Sequence, residues 1–263
     1  MKKIYISVIS HGHGKLIKKI DCLSKISGFA TVVVKNNCRD RILVEYCNSN
    51  EIVLIDDNYG IGFGANNNLV YKYCRDVGME NDDLFLVLNP DVELNLDELV
   101  RFVDIVNLKK IDFSTINLYL DKDFKKYDKS IRKFPSLKTF VFSFIGLGND
   151  TIIDKNNISS IAEVDWAAGS FLCFKASWYQ ELSGFDENYF MYCEDIDICY
   201  RSFRLGKYLN YIPTIRAVHC AMHSNRKLFS RHFFWHLRSA IRFLFVRLTK
   251  SKSNGKSRVI SCK

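Results

Sequence analysis

The sequence predicts an α/β fold: a mostly parallel sheet with helices on both faces, followed by a basic amphipathic helix near the C-terminus. Three observations predict it. Short runs of Val, Ile and Leu alternate with longer helix-period stretches over the first half of the chain, the pattern of successive βαβ units. Each apolar run stops at a polar or glycine-containing turn, as strands do at a sheet rim. Residues 198 to 263 contain 15 Lys and Arg and no Asp or Glu, with Phe, Trp and Leu interleaved from residue 229 to 248.

The elements follow in order. "KIYISVIS" reads as a buried first strand, stopped by "HGHG", and "KLIKKIDCLSKI" as the helix after it. "ATVVV" and "EIVLI" are the next two strands, stopped by "KNN" and "DDNYG". Residues 65 to 77 read as a helix and "LFLVLN" as the fourth strand. In "NLDELVRFVDIV", Leu96, Leu99, Val103 and Val106 share one helical face. Residues 121 to 160 are irregular, "VDWAAGSFLCFK" returns as a strand, and "EDIDICYRSFRLGK" is a short helix stopped at Gly206. "YLNYIPTIRAVH" gives a short strand and a turn, and the last 15 or so residues are polar and read as disordered.

Composition narrows the class. The 263 residues are 48% hydrophobic with only three prolines, enough for a real core and against long linkers. No apolar run reaches the length of a membrane span. The start, "MKKIYISVISHGHGK", does not read as a signal peptide, because its apolar piece is short and a glycine turn follows. Nine cysteines without C-x-x-C pairs read as reduced thiols of a cytoplasmic protein. The net charge of +9 belongs to the C-terminal part: the first 197 residues carry 23 basic and all 29 acidic side chains. A nucleic-acid binder using the tail is the reading from another class, and the acidic front argues against it.

In open α/β sheets ligands bind beyond the carboxyl ends of the strands, so the residues ending these strands are the ones to test. In "FLVLNPDVEL", strand spacing would point Asn89, Asp91 and Glu93 the same way. A carboxylate at a strand end suits a hard divalent cation shared with substrate phosphates; the alternative is a turn whose Asp favours a following helix N-terminus. "NYGIGFGANNN" places glycines 60, 62 and 64 between a strand and a helix, where backbone N–H groups can approach a phosphate or sugar; a plain flexible loop reads equally well. Of His11 and His13 in "HGHGK", only one would face such a site. In "YFMYCEDIDICYR", Glu194 and Asp195 sit in the first turn of a helix, a favourable place for any acid, yet the aromatic ring of Phe185, Tyr189, Phe190 and Tyr192 would raise a carboxylate's pKa and make it a competent base. "WAAGS" offers Trp166 as a platform for a sugar ring.

Taken in order, "VISHGHG", "NYGIGFGANNN", "LVLNPDVEL", "IRKFPSL", "VDWAAGSF", "GFDENYFMYCEDIDIC" and "AVHCAMHSNRKLFSRHFFWHLRS" resemble the inverting family 2 glycosyltransferases of the GT-A fold. The last two pieces and "VDWAAGSF" are most similar to the O-antigen rhamnosyltransferases, which move L-rhamnose from dTDP-rhamnose to GlcNAc-diphosphoryl-polyprenol. The resemblance implies a GT-A type, Rossmann-like domain over residues 1–225, with a nucleotide-binding half (1–110) and an acceptor half (111–225), then a basic aromatic helix and tail (226–263). It implies Asp195 as catalytic base, and Asp91 and His219 as contacts to Mg²⁺ or Mn²⁺ and the diphosphate. His11, Asn36, Asn58, Gly60, Gly62, Asn66 and Asn89 would line the nucleotide. Arg132 would meet phosphate, Trp166 and Gly169 would shape the acceptor site, and Glu194 would tune Asp195, with Asp197 structural. One departure stands out: the second strand of this family ends in an Asp-Asn pair whose Asp holds the base, and here it reads Lys35-Asn36-Asn37, which leaves a UDP-sugar as the alternative donor. The partners implied are a nucleotide-sugar donor, a polyprenyl-diphosphate-linked saccharide and an anionic membrane surface, placing the protein peripherally on the inner face of the bacterial plasma membrane, with no nucleic acid.

Overall fold

The computed structural model describes residues 2–144, 150–220 and 231–249. The N-terminal half alternates as the pattern predicts: β1 (Ile4–Ser10), α1 (Gly14–Ile20), α2 (Cys22–Ile26), β2 (Thr31–Asn36), α3 (Arg41–Ser49), β3 (Val53–Ile55), α4 (Phe63–Asp76), β4 (Leu84–Leu88), β5 (Val92–Glu93) and α5 (Leu96–Lys109). The C-terminal half holds β6 (Phe113–Tyr119), β7 (Ile131–Arg132), α6 (Leu137–Phe144), β8 (Ala162–Val164), β9 (Trp166–Ala167), β10 (Phe171–Lys175), α7 (Ala176–Glu181), α8 (Glu194–Arg204), β11 (Leu209–His219) and α9 (Arg231–Thr249). The expected start of α9 at Phe229, the 225/226 boundary and the polar tail lie outside the described residues.

One sheet spans both halves, in the order β3-β2-β1-β4-β10-β6-β11-β5, with β8 also on β11. β3, β2, β1 and β4 are parallel, and β6 is parallel to β11. The sheet is mixed because β10 runs antiparallel between β4 and β6. β1 and β4 are buried along their whole length and β10 as far as Phe174, which is why they read as largely apolar runs rather than alternating ones. Alternate side chains still divide between two cores. Ile4, Ile6 and Val8 join Leu99 and Phe102 on the side of α1–α3 and α5. Tyr5 and Ile9 join Val70, Trp178 and Ile198 on the side of α4, α7 and α8.

Two local differences have simple causes. The first predicted helix is broken in two at Asp21, which adopts φ 52°. Its carboxylate accepts from Ser24 Oγ at 2.8 Å and Tyr46 Oη at 3.0 Å, bonds that offset the left-handed backbone. β6 is a full strand where no element was read from the sequence. Its "FSTINLY" carries Ser, Thr and Asn inside a completely buried strand, so neither apolar continuity nor alternation marks it.

Candidate active site

Several polar groups gather where β4, β5 and β11 end. After Leu88 the chain turns: the Asn89 N–H donates to Ser170 O at 3.0 Å and the Val92 N–H to Asn89 O at 3.2 Å. The strand spacing expected for Asn89, Asp91 and Glu93 is therefore interrupted, and Glu93 pairs outward with Lys122 at 2.8 Å. The Asp91 carbonyl accepts from the Cys220 N–H at 2.8 Å, and β5 pairs Val92 with His219. This register brings His219 Nε2 to 3.3 Å from Asp91 Oδ1, while Nδ1 lies 2.6 Å from Asp128 Oδ2. Asp91 Oδ1 is buried and unaligned for a hydrogen bond to any group.

The electrostatics of this cluster are compensated. Burial pushes the His219 imidazole down, but the carboxylates of Asp128 and Asp91 outweigh it and raise its pKa to about 9. Burial pushes Asp128 up, yet the His219 contact and the charge of Lys155 hold it below the usual carboxylate range. Lys155 is itself buried beneath the cluster, donating to Leu118 O at 3.1 Å and Ser130 Oγ at 3.0 Å; burial lowers its pKa to about 8, against the raising charge of Asp128. Asp128 was not singled out in the sequence, where it lies hidden in the lysine-rich "KDFKKYDKS". The Asp91 carboxylate fits a hard divalent cation completed by substrate oxygens, and the His219 ring, oriented by Asp128, can join it as a ligand by releasing its Nε2 proton. Among the described residues, no group of three His, Cys, Asp or Glu side chains would hold such an ion alone.

The histidine turn is resolved differently from expectation. Gly12 at φ 79° breaks the alternation, so His11 is exposed and His13 is half-buried, accepting from the His11 N–H at 3.0 Å. Burial lowers the His13 pKa, and the Asp91 charge counters it only in part.

The glycine loop is built mainly by packing. Asn58 (φ 46°) and Gly60 (φ 75°) make its left-handed turns. A Cβ on Gly62 would sit 2.7 Å from Phe190 O, and one on Gly64 2.7 Å from Phe185 Cβ. Both glycines therefore admit the segment before α8, and the Phe63 N–H donates to Phe190 O at 3.0 Å. Asn66 is buried and donates to Ile61 O and Gly62 O at 3.0 and 2.9 Å. Asn37 clamps the same loop, donating to Ile61 O at 3.0 Å and accepting its N–H at 3.2 Å. At the end of β2, the Asn36 side chain donates to Asp56 Oδ1 at 2.9 Å and accepts from the Asp40 N–H at 3.1 Å. Lys35 is buried, with Nζ donating to the carbonyls of Asn36 and Asp57, and burial lowers its pKa.

A second acidic group opens α8. Tyr192 and Cys193 both take positive φ, 70° and 63°, and turn the chain into the helix. Asp195 accepts from the Ile196 N–H at 2.8 Å and from the Gly169 N–H at 3.2 Å. Gly169 has room for this approach because it lacks a side chain: a Cβ there would crowd the Phe63 ring at 3.2 Å. Burial raises the Asp195 pKa; the two N–H groups and the charge of Arg132 only partly counter it. Glu194 is 7% exposed, and its Oε2 has no hydrogen-bond partner among the described residues. Burial, then the neighbouring Asp195 charge, pushes it well above the usual carboxylate range. Asp197 is different. It pairs with Arg201 Nε at 2.7 Å, and Arg201 also donates to the carbonyls of Leu182 and Gly184, tying α8 to the preceding loop.

Glu194 and Asp195 form part of the wall of a cavity of about 200 Å³, with Arg132, Trp166, Tyr192 and His236 among its other residues. Trp166 is less open than a sugar platform would be. It is buried, its Nε1–H donates to Lys133 O at 2.8 Å, and the Arg132 guanidinium lies 5.4 Å over its ring. Helix α9 packs directly on the segment that carries the acids. Ser239 Oγ donates to Met191 O at 2.9 Å, Arg242 pairs with Asp186 at 2.6 Å, and Trp235 lies on Phe190.

No family model matches the chain. It is 38% identical over 253 residues to the rhamnosyltransferase WbbL of Escherichia coli K12, covering 95% of this chain and 96% of that protein. It is 29% identical over 173 residues to the N-acetylglucosaminyl-diphospho-decaprenol L-rhamnosyltransferase of Mycobacterium tuberculosis, covering 63% of this chain and 56% of that one. Among solved structures, the complex of GalNAc-T7 with UDP, GalNAc and Mn²⁺ superposes with a TM-score of 0.65 at 12% identity, over 94% of this chain and 48% of that one. The chain thus spans about half the length of that structure and shares its fold.

Proposed function

The chain belongs to the family 2 glycosyltransferases of the GT-A fold, alongside the rhamnosyltransferases, and from that premise we propose that it moves L-rhamnose from dTDP-rhamnose to a polyprenyl-diphosphate-linked GlcNAc acceptor. The observation that carries the reading is Asp195. It stands on the wall of a cavity with room for about one sugar ring, oriented by two N–H groups, with a pKa raised by burial.

In this reading Asp195 accepts the proton of the acceptor hydroxyl as its oxygen attacks the anomeric carbon. The bond from that carbon to the diphosphate breaks on the opposite face, and its electron pair leaves with the nucleoside diphosphate. General-base help of this kind is worth roughly 10²- to 10⁴-fold in rate. Asp91, and His219 once its Nε2 proton is released, would hold Mg²⁺ or Mn²⁺, which supplies charge neutralisation on the leaving diphosphate. Asp128 keeps the His219 ring turned so that Nε2 faces Asp91. Arg132 brings positive charge to the acceptor side, and Gly169 aims Asp195 through its N–H. Asn58, Gly60, Gly62, Asn66 and Asn89 shape the donor cleft through the backbone they hold, with His11 beside them at the turn after β1. A lipid-linked acceptor places the protein peripherally on the inner face of the plasma membrane, against anionic lipid.

A UDP-sugar donor is the second reading. Asn36 is taken up by Asp56 and Asp40, so β2 ends without a free carboxylate to select the base. The test is a panel of dTDP- and UDP-sugars with a short lipid-diphosphate GlcNAc acceptor, scored for nucleoside diphosphate release. The expected result is acceptor-dependent release from dTDP-rhamnose, at least about tenfold above every UDP-sugar. Release from a UDP-sugar alone would replace the donor, and no acceptor-dependent release from any sugar would overturn the reading.

A further inference from the structure

Helix α9 has two apolar faces where a docking helix needs one. Ala240 and Phe243 are buried against the domain, and His236 and Phe243 pack on Phe140 of α6. On the opposite side Phe234, Ile241, Phe245 and Leu248 fall at i, i+7, i+11 and i+14, one line along the helix, and all are exposed, Phe245 by 63% and Leu248 by 74%. Arg231 and Arg238 are exposed on α9 as well, within a C-terminal segment that contains no acid. Helix α6, packed beside α9, repeats the pattern on a smaller scale: Leu137, Val141 and Phe142 are exposed, and Lys138 lies 5.2 Å over the Phe142 ring. Large exposed apolar stripes cost solubility and mark an interaction surface. Alternating arginine with Phe, Leu and Ile is the chemistry of an interfacial helix, rings and aliphatic groups below the headgroups and cations on lipid phosphates.

We propose that α6 and α9 together form the face by which this protein lies on an anionic lipid bilayer, with α6 contributing as much as the predicted tail helix does. Continuity with the cavity selects lipid over a protein partner. Thr139, Phe140 and Ser143 of α6 and His236 of α9 wall the cavity that holds Asp195, so the two helices carrying the apolar stripes also border the site. A saccharide on a lipid carrier could then enter that cavity without leaving the membrane. The same helix clamps the segment before Glu194 through Met191, Phe190 and Asp186, so the lipid face and the acids share one support. The proposal rests on the lipid-linked acceptor for its purpose, but not for its test.

The full chain is sedimented with vesicles of phosphatidylglycerol and phosphatidylcholine, and with phosphatidylcholine alone, in the absence of any sugar substrate. Three variants accompany it: Ile241→Glu with Phe245→Glu on α9, Leu137→Glu with Val141→Glu on α6, and Leu108→Glu on α5. Leu108 is 78% exposed and controls for loss of any surface apolar group. Circular dichroism confirms folding, and light scattering gives the mass of each protein. The wild type is expected to bind anionic vesicles at least tenfold better than neutral ones. Each paired variant should lose at least tenfold, and Leu108→Glu should bind as the wild type does. Equal loss in Leu108→Glu, no loss in the α6 pair, or no binding of the wild type would each overturn the proposal. A wild-type dimer that both paired variants dissolve would overturn it too, assigning the face to a second copy of the chain. Because no sugar is present, failure here is separate from failure of the transfer assay.

Discussion

Two acidic clusters lie in this molecule, built from the same residue types and tuned in opposite directions. At the sheet edge, Asp91 and Asp128 embrace His219, with the Lys155 charge beneath, so the imidazole is raised to about 9 and Asp128 is held below its usual range. At the start of α8, burial raises both Glu194 and Asp195, and the Arg132 charge counters it at Asp195 only in part. The difference teaches what a cluster can do. Carboxylates paired with positive charge suit a cation or the group it neutralises; carboxylates pushed upward by burial become stronger bases for a proton. Asp197, two residues beyond Asp195, shows the third outcome, a buried acid spent on an ion pair.

The largest expected effect comes from that third acid. Asp197→Asn should destabilise the fold by about 3 kcal/mol, because the half-buried Arg201 guanidinium loses its one carboxylate partner and keeps only the carbonyls of Leu182 and Gly184. The transfer rate of the protein that remains folded should stay within a few-fold of wild type. A urea titration beside active-site-normalised kcat checks both; a large rate loss at unchanged stability would put Asp197 among the reacting groups.

The next effect separates the clusters by pH. His219 has its folded pKa raised from 6.5 to about 9, so its stabilisation is fully present below about pH 6.5 and is lost as pH rises through about 9. The contribution is at most about 3 kcal/mol. Lys155 acts with the opposite sign: its folded pKa is lowered to about 8, so its burial penalty is relieved as pH rises above that value. Comparing Tm for wild type and His219→Gln from pH 6 to 10 isolates the histidine. The gap between the two should close toward pH 10; a gap independent of pH would mean the imidazole is not held charged.

A smaller effect belongs to Asp128. Asp128→Asn should weaken Mn²⁺ binding, read by electron paramagnetic resonance with nucleoside diphosphate present, by about 10- to 100-fold, the usual loss when the carboxylate behind a ligating histidine is removed. Unchanged Mn²⁺ affinity would detach Asp128 and His219 from the cation.

The alternation of β1 to β4 with their helices was legible because these parallel strands are rich in Val, Ile and Leu and stop at marked turns. The helix "EDIDICYRSFR" was legible from its periodicity and from Gly206, which takes φ 84° just after it. Other features depended on partners far along the chain. β6 hides polar residues that pay for burial inside the protein: Thr115 Oγ1 donates to Phe171 O at 2.8 Å, and the Asn117 side chain to Tyr119 Oη at 3.0 Å. Asp128 matters only because β11 returns His219 to it, 91 residues later. Gly62 and Gly64 suggested a close backbone approach, and the approach the structure shows is by Phe190 and Phe185, far along the chain. The docking of α9 on Met191 and Asp186 likewise follows from tertiary contacts that its basic, aromatic sequence does not announce.

The central claim is that Asp195 handles a proton and Asp91 a cation. The most direct measurement is the single-turnover transfer rate of Asp195→Asn at a donor concentration shown by calorimetry, with Mn²⁺ present, to saturate it. The account predicts wild-type donor affinity within a few-fold and a rate lowered at least about 10²-fold, the low end for a lost general base. Lost donor affinity, or an unchanged rate at saturation, would contradict it.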